Sequence, residues 1–330
     1  MLNSGDIGFM IIAATYVFLM TPGLAFFYGG LAQRKNVLNT MMMSVAFMGL
    51  SSVLWVLCGY SLSFSGDLGG VIGNLKWFAF NGVGAEAGPY SDNIPNMGFA
   101  LFQMMFAIIT PSLITGAVAG RMKFKAIFLF VFLWQFVVYY PMAHMVWGGG
   151  FLAQIGSIDF AGGNVVHISS GVSGLVLAIL IGKRKGIEKR SVVPHNIPFV
   201  VLGASLLWFG WFGFNAGSAL GANGLAAHGF LTTAFASACA MLSWMIIDVI
   251  KDGKPTLVGA CTGLVVGLVA ITPGAGFVPI WSAILIGGLV SPICCFTISL
   301  LKKKLMIDDA LDAFGCHGIL SLIHISEPTR

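Results

Sequence analysis

Apolar runs of about twenty residues recur along this chain, and its basic residues fall almost entirely between alternate runs. A run of ~20 apolar residues is what a helix needs to cross the hydrocarbon core of a bilayer. Such runs read at 7–32, 38–64, 97–120, 126–147, 163–182, 196–217, 227–250, 256–275 and 279–301, with a last one beginning near 308. Of 330 residues, 57% are hydrophobic and 9% are charged, where a soluble domain carries roughly 25% charged residues. A water-soluble fold cannot hide that much apolar sequence, and 44 glycines suit helices packed closely at small residues. The expected fold is all-α: a polytopic membrane protein with about ten transmembrane helices and no soluble domain.

The net charge of +5 is not spread as a nucleic-acid surface would require. Arg34 and Lys35 follow the first run, and Arg121, Lys123 and Lys125 follow the third. Lys183, Arg184, Lys185, Lys189 and Arg190 follow the fifth, Lys251 and Lys254 the seventh, and Lys302, Lys303 and Lys304 the ninth. The other loops hold only Lys76, and Arg330 ends the chain. By the positive-inside rule the basic loops are cytoplasmic and the N-terminus is outside. Runs one to five then start outside and end inside, and runs six to ten do the reverse. Two five-helix halves of opposite orientation are what an inverted repeat requires, and such folds place their pathway at the repeat interface.

Polar residues within the runs carry the functional information, because each costs free energy unless it meets a partner or a cavity. His167 lies at mid-depth in the fifth run and His317 about nine residues into the tenth, each beside glycines. A lone histidine on an apolar helix is usually a hydrogen-bonded packing residue. Two at matching depths in two halves favour function, and a neutral imidazole pair can share and relay a proton. Metal binding is the rival, but no HExxH motif or thiolate cluster supplies a third ligand. The six cysteines lie in or beside apolar runs without metal-ligand spacing and read as small buried residues.

Asp159 precedes Gly162 and Gly163 at the outer start of the fifth run. It reads equally as a helix N-cap and as an acidic group favouring a cation. Asp308, Asp309 and Asp312 read as charges facing the N-terminal dipole of the last helix. Trp147 ends the fourth run before three glycines, where aromatic belts occur in any case. Phe102 and Phe106 stand one turn apart, and Trp211, Phe214 and Ser218 occupy adjoining turns of the sixth run. Phenylalanine at such spacing ordinarily packs or faces lipid. Together these rings suit an aromatic cage for a small cation, worth roughly 0.5–2 kcal/mol per ring, with Ser218 as a hydrogen-bond acceptor.

Several segments resemble the ammonium transporter (Amt/Mep/Rh) family. They are Thr21-Pro-Gly-Leu-Ala-Phe-Phe-Tyr-Gly-Gly30, Pro141-Met-Ala-His-Met-Val-Trp-Gly-Gly149, Asp159-Phe-Ala-Gly-Gly-Asn-Val-Val-His167-Ile-Ser-Ser-Gly171, Gly210-Trp-Phe-Gly-Phe-Asn-Ala-Gly-Ser218 and Asp308-Asp-Ala-Leu-Asp-Ala-Phe-Gly-Cys-His317. The resemblance implies a carrier of ammonium and ammonia rather than an enzyme, with no cofactor or metal and no nucleic-acid partner. It implies an external recruitment site of Phe102, Phe106, Trp147 and Ser218 organised by Asp159. Below it would lie a gate of Phe106 and Phe214, and then a pore of His167, His317, Trp211 and Thr272. It also implies a homotrimer in the plasma membrane, with one central pore per subunit and a cytoplasmic face that a PII-type signalling protein can plug. An ammonium sensor using the same pore is the alternative. The family pattern is expected over residues 1–319, with an eleventh helix in a full-length member. Residues 320–330, with His324, Glu327 and Arg330, depart from that pattern and read as a truncation followed by foreign sequence.

Overall fold

The computed structural model describes residues 1–184 and 193–318. Lys185, Lys189, Arg190 and the 320–330 tail lie outside the described residues, so the boundary expected after residue 319 does as well. Among the described residues nine apolar helices follow one another: α1 (Ser4–Leu31), α2 (Arg34–Phe64), α3 (Asn96–Val118), α4 (Phe124–Gln154, broken at 148–150), α5 (Gly163–Ile181), α6 (Ile197–Gly217), α7 (Gly224–Asp252), α8 (Leu257–Ile271) and α9 (Ile280–Lys304). All but α8 are long and apolar enough to cross a membrane. A single turn, α10 (Phe314–Gly318), closes the described chain.

The helix starts follow from side chains that replace missing backbone acceptors. Asn3 accepts from the Gly5 and Asp6 N–H groups, Asn196 from Phe199, Asn223 from Ala226 and Thr256 from Gly259. The run expected at 256–275 is helical only to Ile271, because Pro273 lacks an N–H and glycines flank Ala275. α2 and α4 each carry a π-helical turn, Trp55–Gly59 and Gln135–Tyr139. The second is buttressed by buried polar bonds: Gln135 Nε2 donates to Ser51 Oγ at 2.6 Å, and the Tyr140 hydroxyl donates to Gln135 Oε1 at 2.7 Å.

α1 and α6 lie against each other over much of their length. Gly203 permits this, since a Cβ there would collide with the Phe27 backbone nitrogen. Large aliphatic groups such as Leu38, Val137 and Leu180 point outward, as lipid-facing residues do. Between α2 and α3 the strands β1 (Ala87–Gly88) and β2 (Ser91–Pro95) pair antiparallel. Between them, Tyr90 stacks on Phe99 at 4.8 Å and donates to the Phe64 carbonyl at 2.6 Å. Beside this hairpin Asp67 bonds His144 Nε2 at 3.0 Å, while His144 Nδ1 meets the Ser63 carbonyl at 3.0 Å.

The three aspartates expected at the start of the last helix divide their work. Asp309 caps it, accepting from the Ala313 and Phe314 N–H groups at 3.0 and 2.7 Å. Asp308 is drawn instead into a fork with Arg184, at 2.7 Å to Nη2 and 2.9 Å to Nε, and Asp312 pairs with Lys302 at 2.6 Å. The chain therefore stays irregular through 305–312, and helical structure begins later than the expected start near 308. Burial raises the Asp308 carboxyl, but the Arg184 guanidinium and its backbone N–H more than offset this and hold it below the usual carboxylate range.

Candidate functional site: a vestibule above a narrow slot

The site begins where α4 breaks. Residues 148–150 are glycines, and the turn they make leaves Trp147 at the helix end with its indole N–H donating to the Asp159 carbonyl at 2.9 Å. The Asp159 carboxylate in turn accepts from four backbone N–H groups at the start of α5. Gly162, Gly163 and Asn164 lie at 2.7 Å and Val165 at 3.3 Å. Four donors converge because the first turn of a helix leaves its N–H groups unpaired. Burial pushes the Asp159 carboxyl above its usual range, against the pull of those four donors. This cap fixes the loop that carries Phe160 and the indole partner.

Tyr90, Phe99, Gln103, Phe106, Trp147, Asp159, Phe160, Ser218 and Leu220 enclose a cavity of about 150 Å³. Phe99, Gln103 and Phe106 recur at spacings of four and three on α3 and so share one helix face. Phe102 stands one layer back, edge-on to Phe106 at 5.0 Å, with its ring against Gly217. The Ser218 hydroxyl donates to the Phe214 carbonyl at 2.9 Å, which leaves its lone pairs free to accept. Trp147 meets Phe106 edge-on at 5.7 Å.

Phe106 and Phe214 close the floor of this vestibule. Their ring centres are 4.4 Å apart and their planes tilt by 44°, so they press together without stacking flat. Beneath them lies a slot of about 10 Å³, lined by aliphatic side chains from several helices together with Phe27, His167, Trp211, Phe214 and His317. That volume is about what one water-sized molecule needs. His167 lies within 15° of parallel to Trp211 at 5.4 Å and within 17° of parallel to His317 at 5.3 Å. Trp211 is held by a 2.9 Å bond from its indole N–H to the Thr272 hydroxyl, which donates to the Leu268 carbonyl at 2.8 Å.

Both histidines sit on π-helical turns, Gly163–Ile168 and Phe314–Gly318. Such turns re-aim side chains and are common at functional sites. α5 and α10 cross at Gly171, where a Cβ would collide with the Gly318 backbone. Both rings are buried, at 1% and 3% exposure. Among the described residues, neither nitrogen of His167 and not Nδ1 of His317 has a hydrogen-bond partner. These nitrogens are the polar atoms on which a small molecule in the slot can form hydrogen bonds. No group of three or more His, Cys, Asp or Glu side chains suited to a metal ion occurs among the described residues.

The structure thus brings Phe106, Trp147, Asp159 and Ser218 to one cavity and His167, Trp211, Phe214 and His317 to a second, with Thr272 behind Trp211. Sequence reasoning passed over Tyr90, Phe99, Gln103, Phe160 and Leu220. The Phe99–Gln103–Phe106 spacing was the available signal on α3. Tyr90, Phe160 and Leu220 arrive on loops, where no periodicity announces them.

Three comparisons bear on this arrangement. The sequence model of a family described as Ammonium Transporter Family matches residues 8–325. An ammonium transporter of Bacillus subtilis (strain 168) is 51% identical over 318 residues, covering 96% of this chain and 78% of that protein. The crystal structure of Saccharomyces cerevisiae Mep2 superposes with a TM-score of 0.91 at 40% identity, over 98% of this chain and 72% of that one. A structure titled Sensor Amt Protein superposes with a TM-score of 0.90 at 30% identity, over 97% of this chain and 80% of that one.

Proposed function

This chain belongs to the ammonium transporter family, and on that premise we propose that it takes ammonium into the outer vestibule, parts it from a proton, and passes ammonia through the slot. The observation that carries the reading is the pairing of unlike cavities. One of about 150 Å³ offers ring faces and a hydroxyl acceptor. The other, of about 10 Å³, offers apolar walls and imidazole nitrogens. The chemical problem is to distinguish ammonium from potassium, which has similar size and charge. Aromatic faces attract both. The slot does not treat them alike, because an ion that keeps its charge loses its hydration there without replacement. Ammonium sheds that cost by giving up a proton, and potassium cannot.

In this mechanism Phe106, Trp147 and Ser218 receive the cation, with Phe102 backing Phe106. Asp159 holds the vestibule loop in place. Phe106 and Phe214 must part for the nitrogen to descend. His167 and His317 then hydrogen-bond ammonia in the slot or hand the proton along in parallel, and Trp211, fixed by Thr272, forms one wall. The net event is the transfer of one charge as separated ammonia and proton. The halves formed by the first five and last five helices act as inverted repeats around this pore. The protein works as a homotrimer in the plasma membrane, with its N-terminus outside and its basic loops facing a PII-type regulator in the cytoplasm.

A sensor that signals through the same pore is the second reading, favoured by the likeness to the structure titled Sensor Amt Protein. The test for transport is the transient current of proteoliposomes given ammonium and then potassium. A current for ammonium alone is expected, and it should vanish or lose its selectivity when His167 and His317 are both replaced by alanine. Unchanged selectivity in that double variant overturns the histidine passage. Internal alkalinisation by ammonium without current overturns the transfer of charge.

A further inference from the structure

Gln103 lies between Phe99 and Phe106 on the vestibule face of α3 and is 8% exposed. Its side-chain oxygen Oε1 is buried and accepts no hydrogen bond from any described residue. A buried amide oxygen without a donor is costly, and native structures rarely leave one so. The other polar groups of the cavity are already engaged in different ways. Asp159 spends both carboxylate oxygens on four backbone N–H groups. Ser218 has given its proton to the Phe214 carbonyl and can only accept. Ammonium carries four N–H donors pointing to the corners of a tetrahedron. Ring faces take up its charge, but each N–H brought out of water is best satisfied by an oxygen.

We propose that Gln103 is a further ligand of the ammonium ion: its Oε1 accepts one N–H while Ser218 Oγ accepts another, with Trp147 and Phe106 covering the remaining sides. The assignment rests on the vestibule being where the cation first binds. It replaces part of the water that the ion gives up on entering the vestibule, which ring faces alone do not. A neutral acceptor suits a site from which the ion must leave again downward, where a carboxylate would hold it.

The test is the ammonium concentration giving half-maximal current in proteoliposomes, for the wild type, Gln103→Met, Gln103→Glu and Trp147→Ala. Methionine has nearly the shape of glutamine and no acceptor oxygen. Gln103→Met should raise half-saturation about tenfold or more, as loss of a hydrogen bond to a charged group does, with maximal current kept within about twofold. Gln103→Glu keeps acceptor oxygens at the position and should bind at least as tightly as the wild type. An unchanged Gln103→Met beside a weakened Trp147→Ala overturns the role of Gln103 and leaves the vestibule standing. If neither variant shifts half-saturation, both fall. Equal weakening in the Met and Glu variants makes Gln103 a packing residue and also overturns the proposal. Should a variant conduct nothing, ammonium-dependent thermal stabilisation of the purified protein against a potassium control reads the same affinity.

Discussion

Asp67 and His144 show how one residue pair positions a wall of the vestibule. His144 is fully buried, and its bonds to Asp67 and the Ser63 carbonyl clamp the loop after α2 onto the end of α4 beside Trp147. The His144 hydrogen bond, and after it the Gly70 N–H, hold the Asp67 carboxyl below the usual carboxylate range. A carboxyl depressed in the folded state contributes stability that is present above its unfolded pKa and is lost as pH falls through the folded value. The melting temperature of the wild type should therefore drop as pH falls from about 5 to about 3, more steeply than that of Asp67→Asn. Identical slopes would remove Asp67 from the account. No sequence pattern announces this pair, because its members stand 77 positions apart. The same holds for Asp159. Its position before two glycines left a cap and a cation contact equally open, and only the fold sets four N–H groups around its carboxylate. His167 and His317 were legible because an ionisable residue in an apolar run is conspicuous, whereas Gln103 among phenylalanines was not.

At the scale of elements, the starts and ends of α3, α5 and α6 fall within two residues of their apolar runs, since the apolar length a bilayer requires sets the extent of a spanning helix and caps such as Asn196 fix its first residue. What the runs did not disclose are the π-helical turns. Those of α5 and α10 carry the histidines, and that of α4 is fixed by the Gln135–Ser51 bond to another helix. Tertiary partners place such turns, so no local propensity encodes them. The crossing of α5 and α10 depends on Gly171, one turn past His167. Gly171→Ala should push the two backbones apart at a cost of about 1–3 kcal/mol, as overpacking does, and should lower ammonium flux. Gly288→Ala is the matched control, because its Cβ would enter open space. Thermal unfolding and flux of the two variants side by side decide the point, and equal behaviour would mean that the crossing has slack.

For the whole molecule, alternation of basic loops was legible from the sequence, but the ties among them were not. Arg184 and Arg121 converge on Asp308 and join the basic ends of α3 and α5 to the segment before α10. The side chains are 14%, 5% and 3% exposed in that order, so this is a largely buried cluster. Removing one partner of such a cluster leaves a charge with neither water nor counterion, at roughly 3–5 kcal/mol. The Lys302–Asp312 pair is partly solvated, with Lys302 at 42%, and a pair of that kind contributes about 1 kcal/mol or less. Asp308→Ala should consequently lower the unfolding temperature well beyond Asp312→Ala, and a reversed order would show that the cluster is not a brace. Arg184 and Asp308 are 124 positions apart, and that separation has a consequence for how the protein is made. Chains emerge from the ribosome N-terminus first, so the helices up to α9 are inserted while the fifth still lacks both its arginine's counterion and the second imidazole. The slot is therefore completed only once α10 has been made, and a nascent chain arrested before that point lacks the wall that carries His317.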